Sequence, residues 1–363
     1  MKRILVVGAG PGGSATALAL RQAGLEVVLC DQARFPRDKI CAGGLSVAAQ
    51  RELSILGVGE RVLAEAHPLS QLRLGGPGGE SWTLRQARSV VLPRRRFDAL
   101  LVDAAMRAGA RLEEGLRCTG LLTEGGRTVG IRTARTELEA DAVVVATGVH
   151  AARPGAALSP DAPAPRRFLA VERRFDGPFF DPGTMEMVYA KDLLPGYGWV
   201  FPESATRANV GVCIDDAHPE RAKLHDVLDR FLATHLHGRM GGAVPADAVR
   251  GQPIAWRASV PALAAPGVLW VGEAAGLTSA ATGEGIWHAL RSGREAAAAL
   301  SESADPVAVA EHYRRRVRRA FAGPLLGAAA FSRAASSGVF PALVRLAYRP
   351  PFGSLSRLLL ERI

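Results

Sequence analysis

The chain has 363 residues, of which 48% are hydrophobic and 22% charged, so it is an ordinary globular protein long enough for two domains. The formal net charge is +10, and most of the excess lies in residues 311–363, which hold ten arginines and two glutamates. The first apolar run is only as long as a strand, so we expect no signal peptide. No stretch reaches the ~20 uninterrupted apolar residues of a membrane-spanning helix. Four widely spaced cysteines indicate reduced thiols in a cytoplasmic protein and not a disulfide framework or a metal site.

The first 31 residues have the pattern strand, glycine turn, helix, strand. The turn is Gly8-Ala9-Gly10-Pro11-Gly12-Gly13, and the second strand ends at Asp31. In such a turn Gly8 allows the sharp bend, Gly10 lets the backbone approach a pyrophosphate, and Gly13 lets the helix pack on the sheet. The helix N-terminus favours phosphate, and Asp31 stands where a carboxylate accepts hydrogen bonds from ribose. The sequence therefore predicts a dinucleotide bound over residues 8–13, and a glycine-rich turn without a ligand is the disfavoured alternative.

The loop after Asp31 is Phe35-Pro36-Arg37-Asp38-Lys39-Ile40-Cys41-Ala42-Gly43-Gly44-Leu45, shaped by its proline and its glycine pair. A basic surface loop with a half-buried cysteine would have the same composition. The loop also resembles that of the geranylgeranyl reductase family, FAD-dependent enzymes that share the fold of p-hydroxybenzoate hydroxylase. In that family a Pro-Arg-x-Lys-x-Cys segment lies along the flavin. The resemblance implies that Arg37 and Cys41 lie near the isoalloxazine ring or the pyrophosphate.

Two further blocks match this family. An Arg-x-x-Phe-Asp pattern begins a helix, and in the family its arginine, here Arg94, reaches the FAD phosphates through paired hydrogen bonds. Arg95 and Arg96 fit a solvated basic turn better. A buried strand then ends at Ala146, followed by Thr147 and Gly148, where flavin hydroxylases of this fold usually have Ala-Asp-Gly and bind both FAD and NAD(P)H. The resemblance places Thr147 and Gly148 at the FAD, and the missing aspartate argues against a standard nicotinamide-dependent hydroxylase.

The second FAD motif of the family is matched by residues 267–286. In the family an acid bonds the ribityl chain, and the following helix directs its N-terminus at the flavin and stabilises negative charge on the reduced ring. By position the acid is Glu273, and the helix is opened by Gly283, Gly285 and Ile286. Glutamate is one methylene longer than the usual aspartate, and Ser279-Ala280 replaces the usual Asn-Pro. The resemblance therefore implies FAD that sits differently or binds more weakly.

Aromatic residues alternate along a predicted strand at residues 195–202. The alternation puts Tyr197, Trp199 and Phe201 on one face. Plain sheet core would explain them equally well, but they match the Tyr-x-Trp-x-Phe-Pro motif that forms the wall of the family's lipid pocket. The family then has Gly-x-Gly or Gly-x-Ala, whereas this chain has Cys213 at the last place, which adds bulk to the pocket.

The C-terminal segment, residues 311–363, is basic and apolar. Its Gly and Pro residues predict several short helices. Two interpretations stay open: amphipathic pieces that lie on an anionic membrane surface, or a helical cap over the substrate domain with a solvated arginine face. Nucleic-acid binding is disfavoured because no binding motif accompanies the charge.

The resemblance implies an α/β fold in which a Rossmann-type FAD-binding domain is interleaved with an α+β substrate domain, as in p-hydroxybenzoate hydroxylase, and followed by the helical tail. The predicted FAD domain comprises residues 1–66, 88–155 and 252–310, and the substrate domain residues 67–87 and 156–251. The implied reaction is hydride transfer from flavin N5 to carbon–carbon double bonds of an apolar, isoprenoid-like substrate, with electrons from a nicotinamide or a ferredoxin. Cys41 and Tyr197 are the candidate proton donors.

Two other functions remain as alternatives. One is a flavin-dependent monooxygenase or halogenase of the same fold in secondary metabolism, although the halogenase signature Trp-x-Trp-x-Ile-Pro is absent and Tyr197 stands in its first place. The other is a cofactor-poor binding protein with a decayed flavin site, which the unusual Thr147, Glu273 and Ala280 would explain. No Ser-His-Asp or metal-ligand constellation suggests different chemistry.

Overall fold

The computed structural model describes residues 3–85, 88–151, 165–178, 181–239, 241–260 and 263–337, together with Phe340. The strands in these residues are β1 (Ile4–Val7), β2 (Val27–Asp31), β3 (Gly44–Leu45), β4 (His67–Pro68), β5 (Gln71–Gly75), β6 (Ser81–Arg85), β7 (Val90–Val91), β8 (Arg111–Glu114), β9 (Cys118–Glu124), β10 (Arg127–Thr133), β11 (Glu137–Glu139), β12 (Ala142–Val145), β13 (Arg166–Asp176), β14 (Thr184–Val188), β15 (Tyr197–Pro202), β16 (Arg207–Asp215), β17 (Val244–Pro245), β18 (Arg250–Trp256), β19 (Ala264–Ala265) and β20 (Val268–Trp270). The α-helices are α1 (Pro11–Gln22), α2 (Val47–Ile55), α3 (Gly59–Leu63), α4 (Arg94–Arg107), α5 (Leu224–His235), α6 (Ile286–Glu302) and α7 (Pro306–Ala335). The predicted domain boundary at residues 155–156 lies outside the described residues.

A six-stranded sheet carries the N-terminal glycine turn. Its order is β19-β20-β12-β1-β2-β8, and all neighbours are parallel except β19 and β20. Its central strands are continuous apolar runs because both of their faces are buried. Val7 is in register with Cys30 and with Val145, so β1, β2 and β12 end together. The residues that follow these three strands therefore meet at one edge of the sheet, where ligands bind in open α/β folds.

A second, mostly antiparallel sheet has eight strands in the order β17-β13-β16-β15-β14-β5-β6, with β18 paired to β13. Helix α5 covers one face, where Phe231 packs with Val200 and Val212. The opposite face carries Tyr197, Trp199 and a cluster of other apolar side chains. The alternation along β15 therefore separates a packed helix side from an aromatic side, and the mixed α/β architecture predicted from the sequence is confirmed.

The tail begins as one helix of 30 residues, so the expectation of several short helices is wrong for this part. Pro324 lies inside α7, where it lacks one helical hydrogen bond. Four side chains of α7 are nevertheless fully buried in the core around the six-stranded sheet: Tyr313, Val317, Phe321 and Leu325. Their packing outweighs the local preference of proline to end a helix. Among the described residues, no helix combines the length and the hydropathy that a membrane crossing would require.

Helices α1 and α6 pack closely because glycines meet at their crossing. A Cβ atom at Gly293 in α6 would overlap the carbonyl oxygen of Gly12 in α1, and it would lie 2.8 Å from Thr16 Oγ1. A glycine in the middle of a helix costs conformational entropy, so here the close approach of two backbones is its explanation. Gly327 in α7 is different, because a Cβ atom there would contact nothing within 4 Å.

Replacing these two glycines by alanine should change the free energy of unfolding in opposite directions. We expect Gly293→Ala to lower the free energy of unfolding by about 1–3 kcal/mol, since the added methyl group overpacks the helix crossing. Gly327→Ala should raise it by about 0.5–1 kcal/mol, because alanine favours an exposed helix. Urea unfolding followed by circular dichroism measures both. Equal effects of the two variants would contradict the packing described here.

Candidate functional site

The glycine turn leaves no room for side chains where it meets the sheet. Gly8 has a φ of +101°, its N–H donates to the Cys30 carbonyl at 2.7 Å, and a Cβ atom would lie 2.5 Å from the Ala146 carbonyl oxygen. A Cβ atom at Gly13 would overlap the Gly8 carbonyl oxygen. Helix α1 then starts with Pro11 at its first position and has no acidic residue in its first turn. Its first N–H groups therefore lie at the sheet edge and favour an anion.

Two arginines face this turn at Gly10. A Cβ atom there would lie 3.5 Å from Arg37 Nη2 and 3.9 Å from Arg94 Nη2. Arg37 comes from the loop after β2 and Arg94 from the first turn of α4, so two separate elements direct guanidinium groups at the same backbone. The missing side chain at Gly10 thus leaves a space with cations on one side and a helix N-terminus on the other.

One buried carboxylate holds both arginines. Asp98 is 0% exposed, and Arg94 donates to it through Nε at 2.7 Å and Nη2 at 2.8 Å. Arg37 Nη2 lies 3.0 Å from the same carboxylate. Burial disfavours the charge on Arg94, but the Asp98 carboxylate more than offsets this and raises the pKa of that guanidinium. Two cations against one anion leave a net positive charge beside α1.

A pyrophosphate fits this arrangement. The buried Arg37 Nη1 has no hydrogen-bond partner among the described residues, so one donor is left for a ligand. An unpaired buried donor costs about 1–3 kcal/mol, which a phosphate oxygen would recover. The residues at Gly10 therefore fit the diphosphate of FAD, with Arg37 and Arg94 on one side and the first turn of α1 on the other.

Asp31 ends β2 where a ribose was expected. Its Oδ2 accepts the N–H of Ala9 at 2.7 Å and its Oδ1 accepts that of Ala33 at 2.8 Å. The carboxylate therefore shapes the glycine turn. Each oxygen has a second lone pair, so hydrogen bonds from ribose hydroxyls can be added to the backbone bonds.

Glu273 is bound to protein backbone on two sides. Its Oε1 accepts the N–H of Ala255 in β18 at 3.2 Å, and the N–H of Val149 also bonds to it. Its Oε2 lies 3.6 Å from the Cβ position of Gly148, which follows Thr147. Burial raises the pKa of Glu273, and the positive charge of Lys39 opposes that shift. The extra methylene thus lets this acid connect β18 to the turn after β12.

The loop before α6 is held by groups that replace the missing Asn-Pro. Ser279 Oγ accepts the N–H groups of Ala281 and Thr282, both at 3.3 Å. Tyr189 donates its hydroxyl to the Ala281 carbonyl at 3.2 Å, and Tyr197 donates to the Thr282 carbonyl. Helix α6 follows with Gly285 as an N-cap without a side-chain bond and Ile286 as its first residue. Gly283, Gly285 and Ile286 therefore lie together at a helix start that faces the second sheet.

The aromatic residues of β15 share one face, as the sequence predicts. Trp199 Nε1 donates to Asn209 Oδ1 at 2.8 Å, and a Cβ atom at Gly211 would overlap the Trp199 ring. Tyr197 is in register with the buried Cys213, and its ring centroid lies 6.0 Å from that of Trp199. Phe201 packs at the edge of the same cluster. This aromatic wall reaches the loop before α6, because Tyr197 Oη lies 3.2 Å from the Cβ position of Gly283.

Cys41 lies between the two sheets. Its backbone N–H donates to the buried carboxylate of Glu172 on β13 at 3.3 Å, and its sulfur accepts the N–H of Gly43 at 3.4 Å. Both Arg94 and Tyr197 are close enough to interact electrostatically with the thiol. Burial raises the pKa of Tyr197 well above its ordinary value. The structure therefore brings both candidate proton donors to the same junction.

Sequence reasoning missed four residues of this site. Asp98 stood in the quoted Arg-x-x-Phe-Asp pattern, and its i,i+4 spacing from Arg94 was a usable signal for an ion pair on one helix face. Glu172 and Gln252 gave no local signal, because their contacts join positions more than 130 residues apart. Lys39 stood in the quoted Pro-Arg-x-Lys-x-Cys segment but was not singled out.

Comparisons with known proteins agree with this geometry. A family model described as FAD binding domain matches residues 1–320. Digeranylgeranylglycerophospholipid reductase 1 of Methanopyrus kandleri is 31% identical over 299 residues, which cover 80% of this chain and 78% of the relative. A menaquinone reductase of Mycobacterium tuberculosis is 30% identical over 333 residues, which cover 86% and 80%. A solved structure of a geranylgeranyl bacteriochlorophyll reductase-like protein from Thermoplasma acidophilum has the same fold, with a TM-score of 0.82 at 23% identity and 96% of each chain covered.

The sheet edge, the glycine turn and the matched family model define an FAD-binding flavoprotein. Its relatives make the assignment narrower: the chain belongs to the geranylgeranyl reductase family of FAD-dependent oxidoreductases. The fold, the cofactor and the enzyme class predicted from the sequence are therefore confirmed.

The neighbouring residues Arg94 and Arg95 allow a controlled test of the phosphate site. Because Arg94 is buried at Gly10 and Arg95 is exposed, we expect Arg94→Gln to weaken FAD binding and Arg95→Gln to leave it unchanged. Lost hydrogen bonds to a charged group are worth about 1.5–3 kcal/mol, so the dissociation constant should rise roughly 10- to 100-fold. Fluorescence titration of apoprotein with FAD measures it. If both variants bind alike, Arg94 is not a phosphate ligand.

Proposed function

We propose that this enzyme reduces carbon–carbon double bonds of an apolar, isoprenoid-like substrate, with bound FAD supplying the hydride from N5. The observation that carries this proposal is the meeting of the aromatic wall with the start of α6 at Tyr197 and Thr282. The matched relatives are named for the reduction of a digeranylgeranylglycerophospholipid and of menaquinone. For this protein we propose only the substrate class that these names share, a lipid with unsaturated hydrocarbon.

The wall binds the alkene by apolar contact and holds it still. Trp199 cannot tilt freely, because its ring lies over Gly211 and its N–H is bonded to Asn209. A rigid aromatic surface excludes water and fixes the distance between an apolar substrate and the flavin, which is the main contribution a protein makes to such a reaction. Cys213 and the α7 residue Phe331, which packs on Tyr189 at 5.6 Å, limit the space available along this wall.

The second carbon of the double bond needs a proton. Cys41 is better placed for this than Tyr197, because the Tyr197 hydroxyl already donates to the Thr282 carbonyl and burial raises its pKa. The thiol of Cys41 is only half-buried, and the guanidinium of Arg94 lies beside it. Tyr197 then serves mainly to fix the loop before α6.

The test uses FAD-loaded protein, reduced anaerobically with dithionite so that the natural donor, nicotinamide or ferredoxin, need not be known. We expect a geranylgeranyl lipid or menaquinone to gain two hydrogens per double bond, read by mass spectrometry. Trp199→Ala should lower kcat/KM at least about tenfold, because truncating a buried aromatic ring costs about 2 kcal/mol or more. Ile55→Ala, which truncates an exposed apolar side chain on α2, is the control and should leave turnover unchanged.

A parallel incubation in air, with an aromatic substrate and a halide salt, separates the alternatives. Oxygen-dependent hydroxylation or halogenation of an aromatic substrate, without any hydrogenated lipid, would identify a monooxygenase or halogenase. Protein that stays colourless after incubation with FAD would identify a binding protein with a decayed site.

We also propose that α7 contacts an anionic membrane surface, from which a lipid substrate could enter. Arg315, Arg318 and Arg319 are exposed on this helix, and Leu326 is 65% exposed. Basic side chains near an anionic surface contribute about 1 kcal/mol each. Replacing the three arginines by glutamine should abolish co-sedimentation with phosphatidylglycerol vesicles, whereas the same change at the exposed Arg107, Arg117 and Arg132 should not. Equal binding of both triple variants would refute this contact.

A further inference from the structure

Lys39 is unusual among the basic residues of this chain. Only four of the 45 Lys and Arg residues are lysine. Lys191 and Lys223 are exposed, whereas Lys39 is half-buried in the loop that also carries Arg37 and Cys41. Burying an amine costs free energy unless a partner compensates it.

The side-chain amide of Gln252 fixes both the Lys39 side chain and the loop that carries it. Lys39 Nζ donates to Gln252 Oε1 at 2.6 Å, and Gln252 Nε2 donates to the Ile40 carbonyl at 2.7 Å. Gln252 lies on β18, the strand that also gives the Ala255 N–H to Glu273. The amine is therefore held at the junction of the two sheets, between the phosphate-binding arginines and the acid of the second FAD motif.

The charges around Lys39 leave it uncompensated. Burial lowers the pKa of its amine, Glu273 opposes this shift, and Arg94 and Arg37 add to it, while the Cys41 thiol is also close. Within the part of the chain that the structure describes, the amine makes no ion pair with a carboxylate. Asp98 is taken by Arg37 and Arg94. Lys39 is thus a third cation at this site, and its amine has no carboxylate in direct contact among the described residues.

We propose that the Lys39 ammonium group contacts the flavin end of bound FAD and stabilises the negative charge that the ring gains on reduction, with Gln252 as the residue that positions it. The amine interacts with Glu273, the acid of the second FAD motif, as well as with Arg94 and Arg37. The inference depends on FAD binding but not on the substrate, so failure of alkene reduction would leave it intact.

The midpoint potential of the bound flavin tests this role. We expect FAD-loaded Lys39→Met to have a more negative potential than the wild type, because reduced FAD loses at least tenfold in affinity relative to oxidised FAD, equivalent to about 30 mV for a two-electron couple. Lys39→Arg keeps the cation and should restore most of the potential. Gln252→Leu releases the amine and should give an intermediate value. Lys191→Met, which removes an exposed amine, should match the wild type.

Each outcome of these measurements either supports or overturns the proposal. A wild-type potential in Lys39→Met at full FAD content would overturn the proposal, and so would equal losses of affinity for oxidised and reduced FAD. If Lys39→Met retains no FAD, the Gln252→Leu potential decides instead: an unshifted value overturns the proposal, and a negative shift supports it.

Discussion

The carboxylate of Asp98 is the contact on which the cofactor site depends. It is fully buried, and it binds the guanidinium groups of Arg37 and Arg94, which belong to different elements. Removing one partner of a buried ion pair typically costs about 3–5 kcal/mol, because the remaining charge has no water to solvate it. Asp98 compensates only one of the two cations. The site is thus assembled before the cofactor arrives, but its charge is balanced only when an anion is bound.

Polar contacts also join the two sheets. Strand β18 belongs to the eight-stranded sheet by its pairing with β13, yet the Gln252 side chain bonds to the Ile40 carbonyl and the Ala255 N–H bonds to Glu273. From the opposite direction, Tyr197 reaches from the aromatic wall to the loop before α6. The position of one sheet against the other is therefore set by polar contacts at both ends of an apolar surface, which are more directional than apolar packing alone.

The sequence predicted the parts of this molecule that local patterns encode. The glycine turn and the aromatic alternation of β15 are visible because their geometry repeats over a few residues. The tail was predicted wrongly, because Pro324 is a local signal while the burial of Phe321 and Leu325 is a tertiary effect. The hydrogen bond from Lys39 to Gln252 spans 213 positions, so only the fold could place it. Tertiary contacts of this kind determine most of the candidate site beyond its glycines.

The departures from the family pattern are better explained as changes that the surrounding structure accommodates than as decay of the flavin site. Glu273 and Ser279 accept hydrogen bonds from backbone N–H groups, and two tyrosines donate to the carbonyls of Ala281 and Thr282. The loops that contain these residues therefore keep a defined shape. A site that had lost its ligand would gain stability by removing buried charge and unpaired donors. Within the described residues, this chain instead keeps a buried Arg37 donor without a partner and two arginines on one carboxylate. An anionic cofactor in the groove would offset that cost and so would add to the stability of the fold.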